Sequence, residues 1–298
     1  MKKVLTAIMS MAFIFSLAVP AFAAEAETTT SITINEYDVY VATRQATAEE
    51  NARNGVSRDA VDAINSDILE NELLRLSKLP NEELNNLGYN ETQIAILRSY
   101  TGERIETNPS LRGIFADMNA TFTKVSSSAT SQKIKVTWEW ESPPALAGYK
   151  ITDTVGMRWK GTNNAGLPMN VRLDSNNSSG TVEYWRRGNN PELIKSYSVT
   201  LHCDDPYGNV DATHSMAITN TDESNYAKKG TMTIKVDKTG TDSINEVAYC
   251  FAYGHTIVGA APSISYPTAF TINFSSGSEK MVEKAVVMNS KGTITEYE

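Results

Sequence analysis

The clearest pattern of hydrophobic and polar positions runs over residues 133–141. Every second residue is apolar, and polar or charged residues fill the positions between. The apolar set is Ile134, Val136, Trp138 and Trp140. A period of two predicts a β-strand with one buried and one wet face. Because each tryptophan removes on the order of 150–250 Å² from water, we expect this strand to lie at the centre of a β-domain core.

Segments with strand composition continue to the end of the chain. They recur near 154–160, 180–185, 194–203, 230–236, 246–252, 268–274, 281–288 and 292–297. Clusters of Asn, Ser, Gly and Pro separate them, and no helical period lies between. About nine short strands in this arrangement predict an antiparallel β-sandwich over residues 111–298.

The segment 47–110 has a helical period instead. An apolar stripe with spacings of three and four runs from Val61 to Leu76, with Ser57 as the predicted cap and Pro80 as the stop. The predicted fold class is therefore α+β, with a small N-terminal helical unit and linker over 47–110 placed before the sandwich.

Two further short helices follow within this unit. One is predicted near residues 82–87 and ends at Gly88, which tolerates the left-handed cap conformation. Asn90 and Gln93 have the spacing of a capping box, so the next helix starts there and stops at Gly102. A helical turn or two is predicted over 111–118.

The N-terminus predicts export. Lys2 and Lys3 precede an apolar run, and Ala21-Phe22-Ala23 has the form of a signal-peptidase site. We predict a signal peptide over 1–23, cleavage near Ala23, a secreted product and no membrane-spanning segment in the mature chain. Residues 24–46 are a leader that could contain a strand over 31–43, and the sequence leaves open whether that strand joins the sheet.

The net charge of the chain argues against one class of function. The 27 basic and 35 acidic residues give a net charge of −8, and loss of Lys2 and Lys3 makes it −10. An acidic surface repels nucleic acid, so nucleic-acid binding is not expected.

The chain has two cysteines, Cys203 and Cys250, each in an apolar strand-like run. In an oxidising compartment an even count predicts a disulfide between them. The alternative is two buried thiols.

A resemblance can be stated from the run L-P-N-E-E-L-N-N-L-G-Y-N-E-T-Q-I at 79–94, followed by W-x-W at 138–140. This combination resembles uncharacterised exported proteins of Gram-positive bacteria. The resemblance implies no activity and supplies no catalytic residues.

The segment 204–214 gathers oxygen ligands around a glycine. Asp204, Asp205, Asn209 and Asp211 could form a Ca²⁺ loop, since Ca²⁺ accepts irregular oxygen sets. A β-turn with Asp-Pro and Tyr-Gly punctuation explains the same residues. No other cofactor is indicated.

A candidate ligand site lies near residue 185. Trp185 shares a strand face with Glu183 and Arg187, and Asn189 and Asn190 follow. An aromatic ring beside amides and a guanidinium suits stacking on a sugar. The alternatives are a cation–π pair between Trp185 and Arg187, or a Trp185 ring packed beneath a loop.

Catalytic motifs are missing from the sequence: it contains no G-x-S-x-G, H-E-x-x-H, C-x-x-C or phosphate loop. Acids such as Glu139, Glu141, Asp153, Glu183 and Asp205 could pair for glycoside hydrolysis, but nothing in the sequence selects a pair. The first hypothesis is an exported, non-enzymatic binding or surface protein, with cell-wall polysaccharide or a surface protein as partner. The alternatives are an extracellular hydrolase and a self-associating structural surface protein.

Overall fold

The computed structural model describes residues 29–38, 40–41, 53, 55, 68–145, 147–148, 152–188, 190–218, 224–256 and 283–296. The predicted signal peptide, most of the 47–67 segment and the predicted strand 268–274 lie outside these ranges. The described strands are β1 (Thr29–Asn35), β2 (Asp117–Ser127), β3 (Ser131–Trp140), β4 (Thr152–Asn163), β5 (Pro168–Met169), β6 (Val171–Leu173), β7 (Ser179–Arg186), β8 (Leu193–Val199), β9 (Asn209–Ser215), β10 (Asn225–Lys238), β11 (Ile244–Thr256), β12 (Glu283–Asn289) and β13 (Ile294–Glu296).

These strands form two antiparallel sheets. The seven-stranded sheet has the order β1-β2-β3-β10-β7-β8, with β6 also paired to β10. The six-stranded sheet has the order β13-β12-β11-β4-β5, with β9 also paired to β4. The predicted β-sandwich is confirmed in this outline. The described strands outnumber the nine expected in residues 111–298 because β2, β5, β6 and β9 were not among the predicted runs, and because β1 comes from the leader.

The core lies between the two sheets. The strand predicted to lie at its centre is β3, and its apolar side chains point into this core. The inward residues of β3 are fully buried. Trp138 stacks on Phe251 of the facing sheet at 5.9 Å between ring centroids, and Trp140 meets Tyr253 edge-on at 5.4 Å. Gln132 is the polar residue on this buried face of β3, and its side-chain amide donates a hydrogen bond to the Met288 carbonyl at 3.1 Å.

Three α-helices with described bounds lie between β1 and β2. They are α1 (Ile68–Leu76), α2 (Asn81–Asn86) and α3 (Glu91–Ser99). The capping box is confirmed, since Asn90 accepts from the Gln93 amide while Gln93 accepts from the Asn90 amide. Gly88 has φ of 96°, the left-handed conformation predicted for it. None of the helices in the described ranges is long and apolar enough to cross a membrane.

The helices share their core with the sandwich. Leu73, Leu84 and Leu97 belong to the same buried cluster as the strand residues. The helical turn predicted over 111–118 is a 3₁₀ helix at Pro109–Ile114, and β2 begins three residues later. The helical segment therefore packs as part of one continuous core.

The leader contributes β1, which joins the seven-stranded sheet by pairing with β2. The predicted strand over 31–43 is too long at its C-terminal end, because residues 36–38 are helical. The hydrogen bonds of Glu36 explain why the strand ends at Asn35. Its buried carboxylate accepts from the Ala145 amide at 3.0 Å and the Ala116 amide at 3.3 Å, which fixes the chain against two loops.

The predicted disulfide is wrong, since Cys203 and Cys250 are both free thiols. Cys250 lies on β11, whereas Cys203 follows His202, which bridges to Asp211 at the far side of β9. Three strand spacings separate the two positions, on the order of 14 Å. A disulfide needs Cα atoms about 4.4–6.8 Å apart, so the topology forbids the bond.

Candidate binding face of the seven-stranded sheet

The solvent side of the seven-stranded sheet carries a row of hydroxyl side chains that crosses six strands. The register aligns Ser31, Thr121, Thr137, Thr231, Thr181 and Ser198 side by side. We call this set the hydroxyl row. It follows from strand alternation, because these residues occupy the wet positions between buried apolar neighbours.

Most hydroxyl-row members bond to one another. Ser31 Oγ lies 2.8 Å from Thr121 Oγ1, and Thr181 Oγ1 lies 2.7 Å from Thr231 Oγ1. Thr137 lies between these two pairs, and its hydroxyl has no hydrogen-bond partner among the described residues. The centre of the row therefore presents an unused donor and acceptor to solvent.

A shallow groove of about 580 Å³ lies on the same face, over β1, β2, β3 and the start of β10. Its lining residues are Ser31, Asn119, Thr121, Thr137, Glu139, Trp140, Glu141 and Lys228. Trp140 points to the core, so polar side chains supply the surface of the groove.

Glu139 forms two ion pairs in the groove. Lys228 Nζ lies 2.8 Å from Glu139 Oε1, and Lys229 Nζ lies 3.5 Å from Glu139 Oε2. Burial opposes ionisation of Glu139, but the hydrogen bond and charge of Lys228, with those of Lys229, outweigh it and lower the pKa of this carboxyl. Glu139 is therefore a charge-compensated carboxylate at neutral pH.

The amide of Asn119 is held in one orientation. Thr33 Oγ1 donates to Asn119 Oδ1 at 2.8 Å, and Asn119 Nδ2 donates to Glu141 Oε1 at 2.6 Å. This chain of hydrogen bonds links β1 to the end of β3, where Glu141 also lines the groove. The arrangement is a pre-oriented set of hydrogen-bonding groups.

Trp185 lies at the rim of this face and is partly exposed. Its Nε1 donates to Glu183 Oε2 at 3.1 Å, and the Lys228 ammonium lies 5.2 Å from its ring centroid. The cation near Trp185 is thus Lys228, not Arg187. Because Lys228 also binds Glu139, Trp185 is connected to the groove.

Arg187 is not on the exposed face predicted for it. It follows the end of β7, is buried, and donates from Nε to the Leu87 carbonyl at 3.2 Å. Its charge also acts on Tyr89, where burial nonetheless raises the pKa to about 12. Arg187 therefore joins the sandwich to the helical segment. Asn190 is exposed, and Asn189 lies outside the described residues.

The four proposed metal ligands form a turn and the start of a strand. Asp205 accepts from the Tyr207 amide at 2.9 Å, and its carbonyl accepts from Gly208 and Asn209. Asp211 pairs with His202 across a bridge. Within the described ranges, no three His, Cys, Asp or Glu side chains converge as a cation site. The turn predicted as the alternative is present, and the Ca²⁺ loop stays a prediction.

A second polar cluster lies in the core beneath the groove. Asp153 accepts a hydrogen bond from the Tyr253 hydroxyl, and His214 pairs with Asp153 across the strands. The His214 ring lies 6.1 Å from both Trp138 and Tyr253. All three polar residues are buried, so a substrate reaches them only if the sandwich opens. This position suits a structural role better than a catalytic one.

Sequence reasoning identified Glu139, Glu141 and Trp185 but missed their neighbours. Asn119 and Thr121 lie on β2, which was not among the predicted strands, and Lys228 lies at a β-bulge between Ala227 and Lys229. Polar alternation in 117–123 was the available signal. The cross-strand alignment is a property of register, which the sequence pattern alone does not specify.

Comparisons with known proteins give structural matches only. No family model matches the chain, and no curated protein matches it in sequence. The major pilin SpaA of Corynebacterium diphtheriae matches at 11% identity over 56% of this chain and 35% of the pilin, with a TM-score of 0.31. The chain therefore spans about a third of that structure.

Two further structures match at similar levels. The collagen-binding domain of a Staphylococcus aureus adhesin matches at 11% identity, over 45% of this chain and 81% of that one, with a TM-score of 0.22. The KRT10-binding region domain of the pneumococcal serine-rich repeat protein PsrP matches at 12% identity, over 48% and 78%, with a TM-score of 0.24. These scores place no ligand or activity on this chain.

Proposed function

We propose that this protein is exported and binds a neutral polysaccharide on the wet face of its seven-stranded sheet. The observation that carries the proposal is the groove beside the hydroxyl row. The Thr137 hydroxyl lies at the centre of the row and has no hydrogen-bond partner within the described part of the chain. Hydroxyl groups spaced by strand separation, about 4.8 Å, suit a ligand that itself presents hydroxyls in series. Trp185 at the rim adds an aromatic surface to the same ligand path.

The charge pattern supports a neutral ligand over an anionic one. Glu139 is compensated by Lys228 and Lys229, and Glu141 is bonded to Asn119. No uncompensated cationic cluster faces the groove among the described side chains, and the whole chain is acidic. Nucleic acid and anionic wall polymers therefore lack the attraction that dominates their binding.

A hydrolase that uses Glu139 as its acid is less well supported. A general acid in glycoside hydrolysis needs a raised pKa so that it holds a proton near neutral pH. The pKa of Glu139 is shifted downward by its lysines. The pair Glu139 and Glu141 therefore suits hydrogen bonding to a ligand better than proton donation to a leaving group.

The test is a depletion assay with the mature chain, from residue 24, and insoluble cellulose, chitin or bacterial cell walls. Thr137→Val removes one hydroxyl at constant shape, and the loss of a hydrogen bond of about 0.5–1.5 kcal/mol weakens binding roughly two- to tenfold. Trp185→Ala tests the rim. Thr213→Val, at an exposed position of β9 on the other sheet, is the matched control.

Selective weakening by Thr137→Val and Trp185→Ala supports the proposal. Equal retention of all four proteins on a polysaccharide would move the site away from this face. Failure of the wild-type chain to bind any of the three materials would overturn the polysaccharide assignment.

A further inference from the structure

Strand β8 differs from the other long strands in its exposure. From Leu193 to Ser198 every residue is exposed. Leu193, Ile194 and Tyr197 keep 47%, 44% and 38% of their surface in water. Within the described ranges, β8 is the last strand of its sheet and pairs only with β7.

The exposure arises because β8 extends past the facing sheet. On β7, Val182 and Tyr184 are buried, and the Tyr184 hydroxyl donates to the Ser215 carbonyl at the end of β9. Their partners on β8, Tyr197 and Lys195, point the same way but are open to solvent. Among the described strands, the six-stranded sheet therefore ends beneath β7, and no described strand covers either face of β8 or pairs with its outer edge.

An open strand edge binds another strand readily, because its backbone groups on that side lack partners. Natural edges are protected by proline, inward-pointing charge or a bulge. In β8 a register shift precedes Lys195, and the stretch from Ser196 to Val199 contains neither proline nor charge. That stretch is the unprotected part of the edge.

We propose that β8 pairs antiparallel with β8 of a second copy of this chain, centred on Ser196. A two-fold axis perpendicular to a continuous sheet makes a central residue oppose itself, so Ser196 faces Ser196. Lys195 then faces Tyr197 of the other copy, and Ile194 faces Ser198. The central register therefore has no like charges in opposition.

The pairing is self-complementary in charge. Within one chain the Lys195 ammonium already lies 4.5 Å from the Tyr197 ring centroid, and Tyr197 meets Tyr184 edge-on at 5.6 Å. The dimer places two such cation–aromatic pairs across the axis, related by symmetry. Shifting the centre by one residue to Lys195 sets two ammonium groups opposite each other, which disfavours that register.

A seven-residue strand is short for an interface. Stable complexes bury about 800 Å² per partner, which is more than one strand ladder supplies. The dimer is therefore concentration-dependent, with monomer dominant in dilute solution and the paired form favoured at high local concentration.

Cysteine cross-linking tests the register directly. Ser196→Cys is made in a chain that also carries Cys203→Ser and Cys250→Ser, and oxidation is followed on a non-reducing gel over a concentration series. In the proposed dimer the Cα atoms at 196 lie about 4.5–5.5 Å apart, within disulfide range. Ser198→Cys is the matched control, because its two copies lie roughly 13 Å apart along the strands.

Dimer formed through position 196 and not through 198 is the expected result. Ser196→Lys, which sets two ammonium groups face to face, should return the chain to monomer in sedimentation velocity at concentrations where the wild type dimerises. Equal cross-linking at both positions, or a wild-type chain that remains monomeric to millimolar concentration, would overturn the proposal. So would unlimited assembly in place of a closed dimer.

Discussion

Gly230 of β10 should resist substitution because of its approach to the central tryptophan. It lies opposite Trp138 on one side and Val182 on the other, at a core-facing position. A Cβ atom built on Gly230 would lie 2.1 Å from a carbon of the Trp138 ring. Trp138 is fully buried between His214, at 6.1 Å, and Phe251, at 5.9 Å, so the ring has no free space to move into.

Two opposing effects determine the outcome of Gly230→Ala. Replacing a strand glycine restricts the unfolded chain, which stabilises a protein by about 0.4–1 kcal/mol when the native site accepts the methyl group. Carbon atoms in contact normally lie about 3.5–4.0 Å apart, and overpacking a rigid core costs about 1–3 kcal/mol. Since the contact is far shorter than normal, we expect net destabilisation of about 1–3 kcal/mol, a fall of roughly 2–10 °C in Tm.

Urea unfolding followed by far-ultraviolet circular dichroism measures this loss. Gly254→Ala on β11 is the matched control, because no described atom lies within 4 Å of its Cβ position, and it should be neutral or slightly stabilising. In a Trp138→Leu background the methyl group of Gly230→Ala gains space, so its cost should shrink. An equal cost in both backgrounds, or no cost in the wild type, would refute the reasoning.

Three further predictions follow from buried polar groups and the thiols. Arg187→Met should destabilise the fold by about 1–3 kcal/mol in urea unfolding, because the Leu87 carbonyl loses a donor, whereas the exposed Arg186→Met should change stability by less than about 0.5 kcal/mol. Burial raises the pKa of Asp211 above its usual 3.8; the charge of His202 opposes this shift, and that of Asp204 adds to it. Between the unfolded and the folded pKa, the folded state therefore keeps a proton that the unfolded chain releases. Stability should therefore fall as pH rises through the window between these two pKa values, and Asp211→Asn should flatten that part of the pH profile and stabilise the fold above it. Thiol titration of the denatured chain without reductant should find two free thiols, from Cys203 and Cys250. Addition of a reductant should leave Tm unchanged. A titre of zero would show that the two cysteines form a disulfide after all.

The sequence predicts elements whose signal is local. The alternation through Trp138 and Trp140 is strong because one face of β3 is buried in the core and the other faces solvent. The capping box at Asn90 and Gln93 involves residues three apart, so its geometry is set by the helix start alone. These features need no knowledge of distant segments.

The features missed by the sequence depend on distant segments. Arg187 looked exposed from strand alternation, yet the strand ends before it and the Leu87 carbonyl, a hundred residues away, binds it. Cys203 and Cys250 each fit a strand, but their separation is fixed by two intervening strands. The hydroxyl row likewise exists only because six strands pair in one register.

The position of β1 means that its residues exist for some time without their partner strand. Its residues are synthesised before the other described strands, but its partner on β2 lies about ninety residues later, as the pair Ser31 and Thr121 shows. At roughly 5–20 residues per second, β1 waits on the order of 5–20 s before its partner has been made. During that interval the four Thr and Ser residues of β1 keep the unpaired segment polar enough to remain in water.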